Sequence, residues 1–162
     1  MPNEKLTVTS SVFEHNGYIP VEYTGYGADK SPPLTLSGLV PEAKTLAVIM
    51  VDLDIPFIRE YPHWVIWNLP VMDKITEAIP KGKSLPKLNG ARQGLAYGKY
   101  TYAGPKIPKF LRNRHRYVFT VYALDTALDI SSDSNRRVLL KAMQGHILQQ
   151  GSIMGLYRNK YK

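Results

Sequence analysis

Residues 45–70 read TLAVIMVDLDIPFIREYPHWVIWNLP, and their reading decides the fold. Leu46 to Val51 is an unbroken apolar run rich in β-branched residues, and Trp64 to Leu69 is a second one, stopped by Pro70. Both have the length and composition of buried strands. Asp52 and Asp54 leave the first run two positions apart, so continued extension places both side chains on one face, while His63 stands at the mouth of the second run. A carboxylate at the end of a core strand needs a partner. Two readings fit. The aspartates receive backbone N–H groups in an Asx turn before Pro56, or they orient histidines and meet a ligand.

Outward from this stretch the chain is dominated by strand signals. Leu6 to Thr9 alternates as an edge strand does, and Asn16-Gly17 followed by Tyr18 to Tyr23 predicts a hairpin. Gly25 to Pro33 reads as loop, Leu34 to Leu36 as a short strand, and Pro41 to Lys44 as a turn. His115 to Leu124 alternates Tyr117, Phe119, Val121 and Ala123 against Val118, Thr120 and Tyr122, which predicts a third strong strand over 116–124. One helix is expected within 134–150, capped by Ser134 and stopped at Gly151, with His146 inside it as a hydrogen-bonding structural residue. Ser152 to Arg158 is a last strand or an extended tail. Strands without alternating helices argue against a doubly wound parallel sheet.

The 162 residues suffice for one domain, 1–162, that buries about two thirds of its unfolded surface. No cysteine is present, which excludes disulfides and thiolate metal sites and fits a reducing, cytoplasmic location. No run approaches the about 20 apolar residues of a membrane span, and the N-terminus lacks an apolar leader. The net charge of +8 is concentrated: ten Lys or Arg and no acid lie between Pro80 and Arg116. Such a segment attracts anions or an acidic partner, or simply keeps a loop solvated. Its glycines and prolines predict an irregular surface path.

Five motifs together carry a resemblance. DLDIP at 52–56, HWVIWNLP at 63–70, YAGPKIP at 102–108, HRYVFTVYALD at 115–125 and AMQGHIL at 142–148 occur in the order and spacing of the phosphatidylethanolamine-binding protein family, the Raf kinase inhibitor-like proteins, and the chain resembles their compact bacterial and archaeal branch from about Phe13 to Tyr157. The resemblance implies a mainly β fold: a large central antiparallel sheet packed on a smaller sheet, one principal C-terminal helix and few others. It also implies an anion pocket formed here by Asp52, Asp54, Pro56, His63, Gly104, Pro105, Pro108, His115 and Tyr117. Leu53 and Ile107 depart from the family's prolines without removing a polar group. A sharp turn in the family makes Ile55-Pro56 a candidate cis peptide.

The residues themselves suit a phosphate-sized ligand. His63 and His115 N–H groups, the Tyr117 hydroxyl and the Gly104 backbone N–H are donors, whereas Asp52 and Asp54 can accept from a histidine or meet an ammonium. The expected function is non-enzymatic binding of a phosphate-bearing small molecule or a phospholipid head group such as phosphoethanolamine, with no cofactor. The alternative within the family is a protein-binding inhibitor of a kinase or serine protease. No serine has a motif that activates it, so no catalytic residue is assigned. Three other classes are weaker. An aspartyl-phosphate phosphatase lacks its Gly-Thr continuation after Asp54, a metal site from His63, His115 and an aspartate lacks ligand spacing, and nucleic-acid binding through Tyr97, Tyr100 and Tyr102 lacks a recognised motif.

Overall fold

A computed structural model describes residues 5–111 and 114–159; Arg112, one cation of the basic segment, lies outside the described residues. Ten strands and one helix follow in order: β1 (Thr7–Thr9), β2 (Gly17–Tyr18), β3 (Leu34–Ser37), β4 (Thr45–Asp52), β5 (Tyr61–Leu69), β6 (Lys74–Ile75), β7 (Ser84–Leu85), β8 (Ala91–Gln93), β9 (Arg114–Leu124), α1 (Arg136–Met143) and β10 (Ile147–Arg158). They form a seven-stranded sheet, β2-β10-β9-β4-β5-β8-β7, and a three-stranded sheet, β1-β3-β6. Every pairing is antiparallel except β2 with β10.

The apolar run of β4 has no alternation because both faces of the large sheet are covered. Leu46, Val48 and Met50 face the layer between the two sheets, with Leu34, Leu36, Phe119 and Ile153. Ala47, Ile49 and Val51 face the other way, toward Leu139 and Met143 of α1. A strand buried on both sides must be apolar at every position. Gly151 of β10 permits a close approach of the segment that leads into β1, since a Cβ there would stand 1.9 Å from the Leu6 carbonyl oxygen.

Three sequence expectations are corrected. β1 pairs with β3, and Gly17–Tyr18 joins β10 in parallel, so no hairpin links Thr7–Thr9 to the segment after Asn16. The turn signal itself is real, because Asn16 adopts a left-handed φ of 66° and the Gly17 N–H bonds back to Glu14. It delivers the chain to a different sheet. The helix is shorter than expected: Asn135, not Ser134, caps it by accepting from the Val138 N–H, and the chain leaves helical torsions at Gln144 and turns at Gly145, φ 81°. His146 therefore sits in a turn, its Nδ1 2.8 Å from Asp125 Oδ1. Finally, Ile55-Pro56 is trans, for no described peptide bond is cis; the reversal is made instead by Phe57 at φ 66°.

Candidate functional site

Three neighbouring strands meet at one end of the large sheet. Asp52, the last residue of β4, is opposite Tyr61 on β5 and opposite Tyr117 on β9. Side chains two apart on a strand share a face, so His63 stands beside Tyr61 and His115 beside Tyr117. These five residues, with Ile55, Tyr97, Lys106, Ile107 and Pro108, line a cavity of ≈ 240 Å³.

Asp52 is the hub of the site. It is 1% exposed, its Oδ1 accepts the Asp54 N–H at 2.8 Å, and its Oδ2 accepts from His115 Nδ1 at 2.7 Å. The first bond is an Asx turn and the second orients a histidine, so both readings of this residue hold together. Because a carboxylate accepts, the His115 hydrogen is on Nδ1, and Nε2 is left buried with no partner among the described residues. Buried polar atoms are almost always satisfied, so an orphan beside a cavity calls for a water or a ligand atom. His63 is held differently. Its Nδ1 donates to the Ala103 carbonyl at 2.6 Å, and its own carbonyl accepts the Ala103 N–H at 3.3 Å. Burial pushes the His63 pKa down, against the smaller opposing effects of the Ala103 carbonyl and the charges of Asp52 and Asp29.

The Tyr117 ring touches both imidazoles, edge-on to His63 at 5.3 Å and stacked near His115 at 6.4 Å. Burial first, then the adjacent Asp52 carboxylate, push its phenol far above the ordinary range, so it stays a hydroxyl donor. Tyr97 lies on His63 at 4.6 Å and Tyr61 meets both at under 6 Å, closing an aromatic wall. Tyr97 is there at a conformational cost. Ala96 and Lys99 exchange two backbone hydrogen bonds of 2.9 Å around a two-residue turn, with Tyr97 at φ 54° and Gly98 at φ 67°. Such a turn favours Asn-Gly, and a bulky residue in its first place needs another reason.

The structure brings Asp52, His63, Pro108, His115 and Tyr117 together around the cavity and leaves Asp54, Pro56, Gly104 and Pro105 outside its lining. Asp54 turns away because the Asx turn ends the extension, and its carboxylate takes both a backbone N–H and a bidentate grip from Arg116. Burial alone would raise its pKa, but Arg116 overcomes this and holds it below the ordinary carboxylate value. Pro56 occupies the following turn. The Gly104 N–H is engaged by Asp29 Oδ1 at 2.7 Å, and the residue is glycine because a Cβ would stand 2.3 Å from the Tyr23 carbonyl oxygen. The Pro105 carbonyl accepts the Gly25 N–H at 2.8 Å, so both residues clamp the loop rather than face the cavity. Tyr61, Ile55, Tyr97 and Lys106 line the cavity as well, and the sequence does not mark them as lining residues. Tyr61 was recoverable, being two before His63 on the same strand face. Among the described residues, no three His, Asp or Glu side chains converge as a metal site.

Residues 9–158 match the phosphatidylethanolamine-binding protein family, and the chain belongs to that family. It is 41% identical to a UPF0098 protein of Pyrococcus horikoshii over 97% of this chain and 79% of that protein. A phosphatidylethanolamine-binding protein homolog from Chlamydia trachomatis, solved by crystallography, matches with a TM-score of 0.82 and 33% identity, covering 96% of this chain and 99% of that one. YbcL of E. coli shares the fold at a TM-score of 0.85 and 24% identity, over 97% of this chain and 100% of that one. The chain is thus a binding protein of the phosphatidylethanolamine-binding type.

Proposed function

We propose that the cavity between β4, β5 and β9 holds the phosphate group of a small phosphorylated ligand or phospholipid head group, and that the protein binds without catalysing a reaction. The observation that carries this reading is the orphaned, buried His115 Nε2 beside the cavity, locked in place by Asp52. The Tyr117 hydroxyl is a donor as it stands, Lys106 lines the same cavity, and the Nε2 of either histidine donates only in the doubly protonated ring, its Nδ1 hydrogen being held by Ala103 or Asp52. The His-Asp pair would suit a general base, yet no serine, threonine or cysteine is among the lining residues to serve as its nucleophile.

Affinity is expected to fall as pH rises, because an anion at His63 Nε2 favours the protonated ring whereas the empty pocket holds that pKa below the ordinary 6.5. The sign for stability is opposite. A depressed folded pKa means that the unfolded chain takes up the proton first, so this contribution is present above 6.5 and is lost as pH falls toward the folded value. Acid therefore weakens the empty protein while strengthening its hold on the anion. Calorimetric titration and melting with sulfate, which keeps its two charges throughout, from about pH 5.5 to 8 test this. The sulfate-induced rise in Tm should grow as pH falls in wild type and vanish in His115→Ala. A rise that is equal in both, or flat with pH, refutes the assignment.

The strained turn gives a second expectation. Tyr97→Asn exchanges relief of left-handed strain, about 1 kcal/mol, for lost ring contacts of similar size, so Tm should move little. Ligand affinity should drop about tenfold as the wall opens to water, a loss of about 1.4 kcal/mol. A clear fall in Tm with intact affinity would make Tyr97 a packing residue instead.

A further inference from the structure

The two histidines of the cavity are each backed by a carboxylate, one directly and one across a peptide bond. His115 Nδ1 donates to Asp52 Oδ2 at 2.7 Å. His63 Nδ1 donates to the Ala103 carbonyl at 2.6 Å, and the N–H of the same peptide unit, that of Gly104, donates to Asp29 Oδ1 at 2.7 Å. The 103–104 peptide thus stands between ring and carboxylate, its acceptor end on one and its donor end on the other. Hydrogen bonds in series polarise one another, so a charged acceptor at the far end deepens the negative charge on the Ala103 oxygen. A more negative oxygen holds the His63 hydrogen on Nδ1 more firmly and favours the charged ring over the neutral one.

Asp29 is free for this task. It lies between β2 and β3, outside the cavity lining, and its neighbour Lys30 is held by Glu22 and Glu77, so Asp29 forms no ion pair among the described residues. The loop it touches has three other fastenings to the same segment. The Tyr102 hydroxyl donates to the Tyr23 carbonyl, the Gly25 N–H to the Pro105 carbonyl, and the Tyr26 hydroxyl to the Ile107 carbonyl. Around His63, burial disfavours the charged ring; the Ala103 carbonyl, Asp52 and Asp29 oppose burial, and His115 adds to it. The rings of Tyr61, Tyr97 and Tyr117 complete its surroundings. Burial first, with Asp29 among the charges behind it, also pushes the Tyr97 and Tyr102 phenols up, so the Asp29 charge is felt on this side of the site generally. We propose that Asp29 is a positioning residue for His63, acting across the 103–104 peptide to fix the ring's tautomer and to favour its protonation when an anion enters. The proposal rests on the pocket reading only for what the protonated ring meets; the coupling itself stands on two hydrogen bonds of one peptide.

NMR of the protein without ligand tests it, the His63 ring signals being assigned among the four histidines by their loss in His63→Gln. In wild type the neutral ring should carry its hydrogen on Nδ1, and the Gly104 amide signal should move as His63 titrates. Asp29→Asn removes the charge while keeping an acceptor oxygen for the Gly104 N–H, and asparagine tolerates the left-handed torsion, φ 55°, so the fold is kept. In this variant His63 should titrate at lower pH, the Gly104 amide should shift as its charged acceptor is lost, and sulfate binding should fade at lower pH than in wild type. Asp29→Ala strands the Gly104 N–H and should weaken sulfate about tenfold, with Asp29→Asn recovering part of that loss. A Gly104 amide that ignores the His63 titration in wild type, or a His63 that titrates alike in wild type and Asp29→Asn, overturns the proposal and leaves Asp29 a fourth clamp on the loop. Failure of the pocket reading has a separate signature: His115→Ala would bind sulfate as wild type does, whatever the ligand-free His63 signals show.

Discussion

Asp52→Ala is expected to cost about 3–5 kcal/mol of stability and to abolish ligand binding together. The side chain is almost fully buried and satisfies the Asp54 N–H and the His115 Nδ1–H, so its removal strands donors that water cannot reach. Asp52→Asn separates the two consequences. The amide oxygen can still receive the Asp54 N–H, but its nitrogen then faces His115, which must turn over to the tautomer that accepts on Nδ1. That tautomer carries its hydrogen on Nε2, and the ring loses the carboxylate that held its orientation. Binding should weaken about tenfold, while the fold survives. Denaturant unfolding and calorimetry on both variants decide the point. An Asp52→Ala protein within about 1 kcal/mol of wild type, binding normally, would remove Asp52 from the centre of the site.

Gly151→Ala should be nearly as damaging for a reason that concerns packing alone. The new methyl would stand 1.9 Å from the Leu6 carbonyl oxygen and 2.8 Å from its carbon, and backbone cannot swing aside as a side chain can. Leu6 immediately precedes β1, so the small sheet must lift from the large one. Overpacking of this kind costs about 2–4 kcal/mol. The denaturation midpoint should fall with an unchanged m value, and affinity per folded molecule should be kept, because Gly151 pairs with Val121, well along β9 from Tyr117. A loss below about 0.5 kcal/mol would mean that the two sheets are held less closely than described.

The three central strands were legible because their composition leaves little choice. β-branched and aromatic runs bounded by proline or aspartate gave 45–52, 64–69 and 116–124, and the structure extends the second to Tyr61 and the third to Arg114. The helix was misread at its C-terminal end because Leu139, Met143 and Ile147 are four apart. A step of four stays on one side of a helix and, being even, also on one side of a strand, so spacing carried the reading past Gly145. Within the site, the resemblance supplied His63, His115 and Tyr117, all three line the cavity, and strand period accounts for the face each presents there. The same rule failed for Asp54, whose predecessor's carboxylate ends the extension through the Asx turn. Residues that reach the cavity from loops, Ile55, Tyr97 and Lys106, have no period to betray them. The Tyr-Gly pair at 97–98 held the one usable clue, a turn signal with the wrong first residue.

The edge strand β2 carries a consequence for how the chain is made. Gly17 pairs with Gly155 and Tyr18 with Leu156, so the first-made strand of the large sheet waits for the last. β9, which joins β4 to β10, is also late, and until it and α1 exist β4 and β5 form only a partial sheet whose α1-facing side has no cover. A ribosome releasing this chain from its N-terminus therefore holds an open, apolar half-sheet until β9 emerges. Native pairings of such large sequence separation form slowly even in the finished chain. The large sheet is thus completed only when its last strand, β10, has been made.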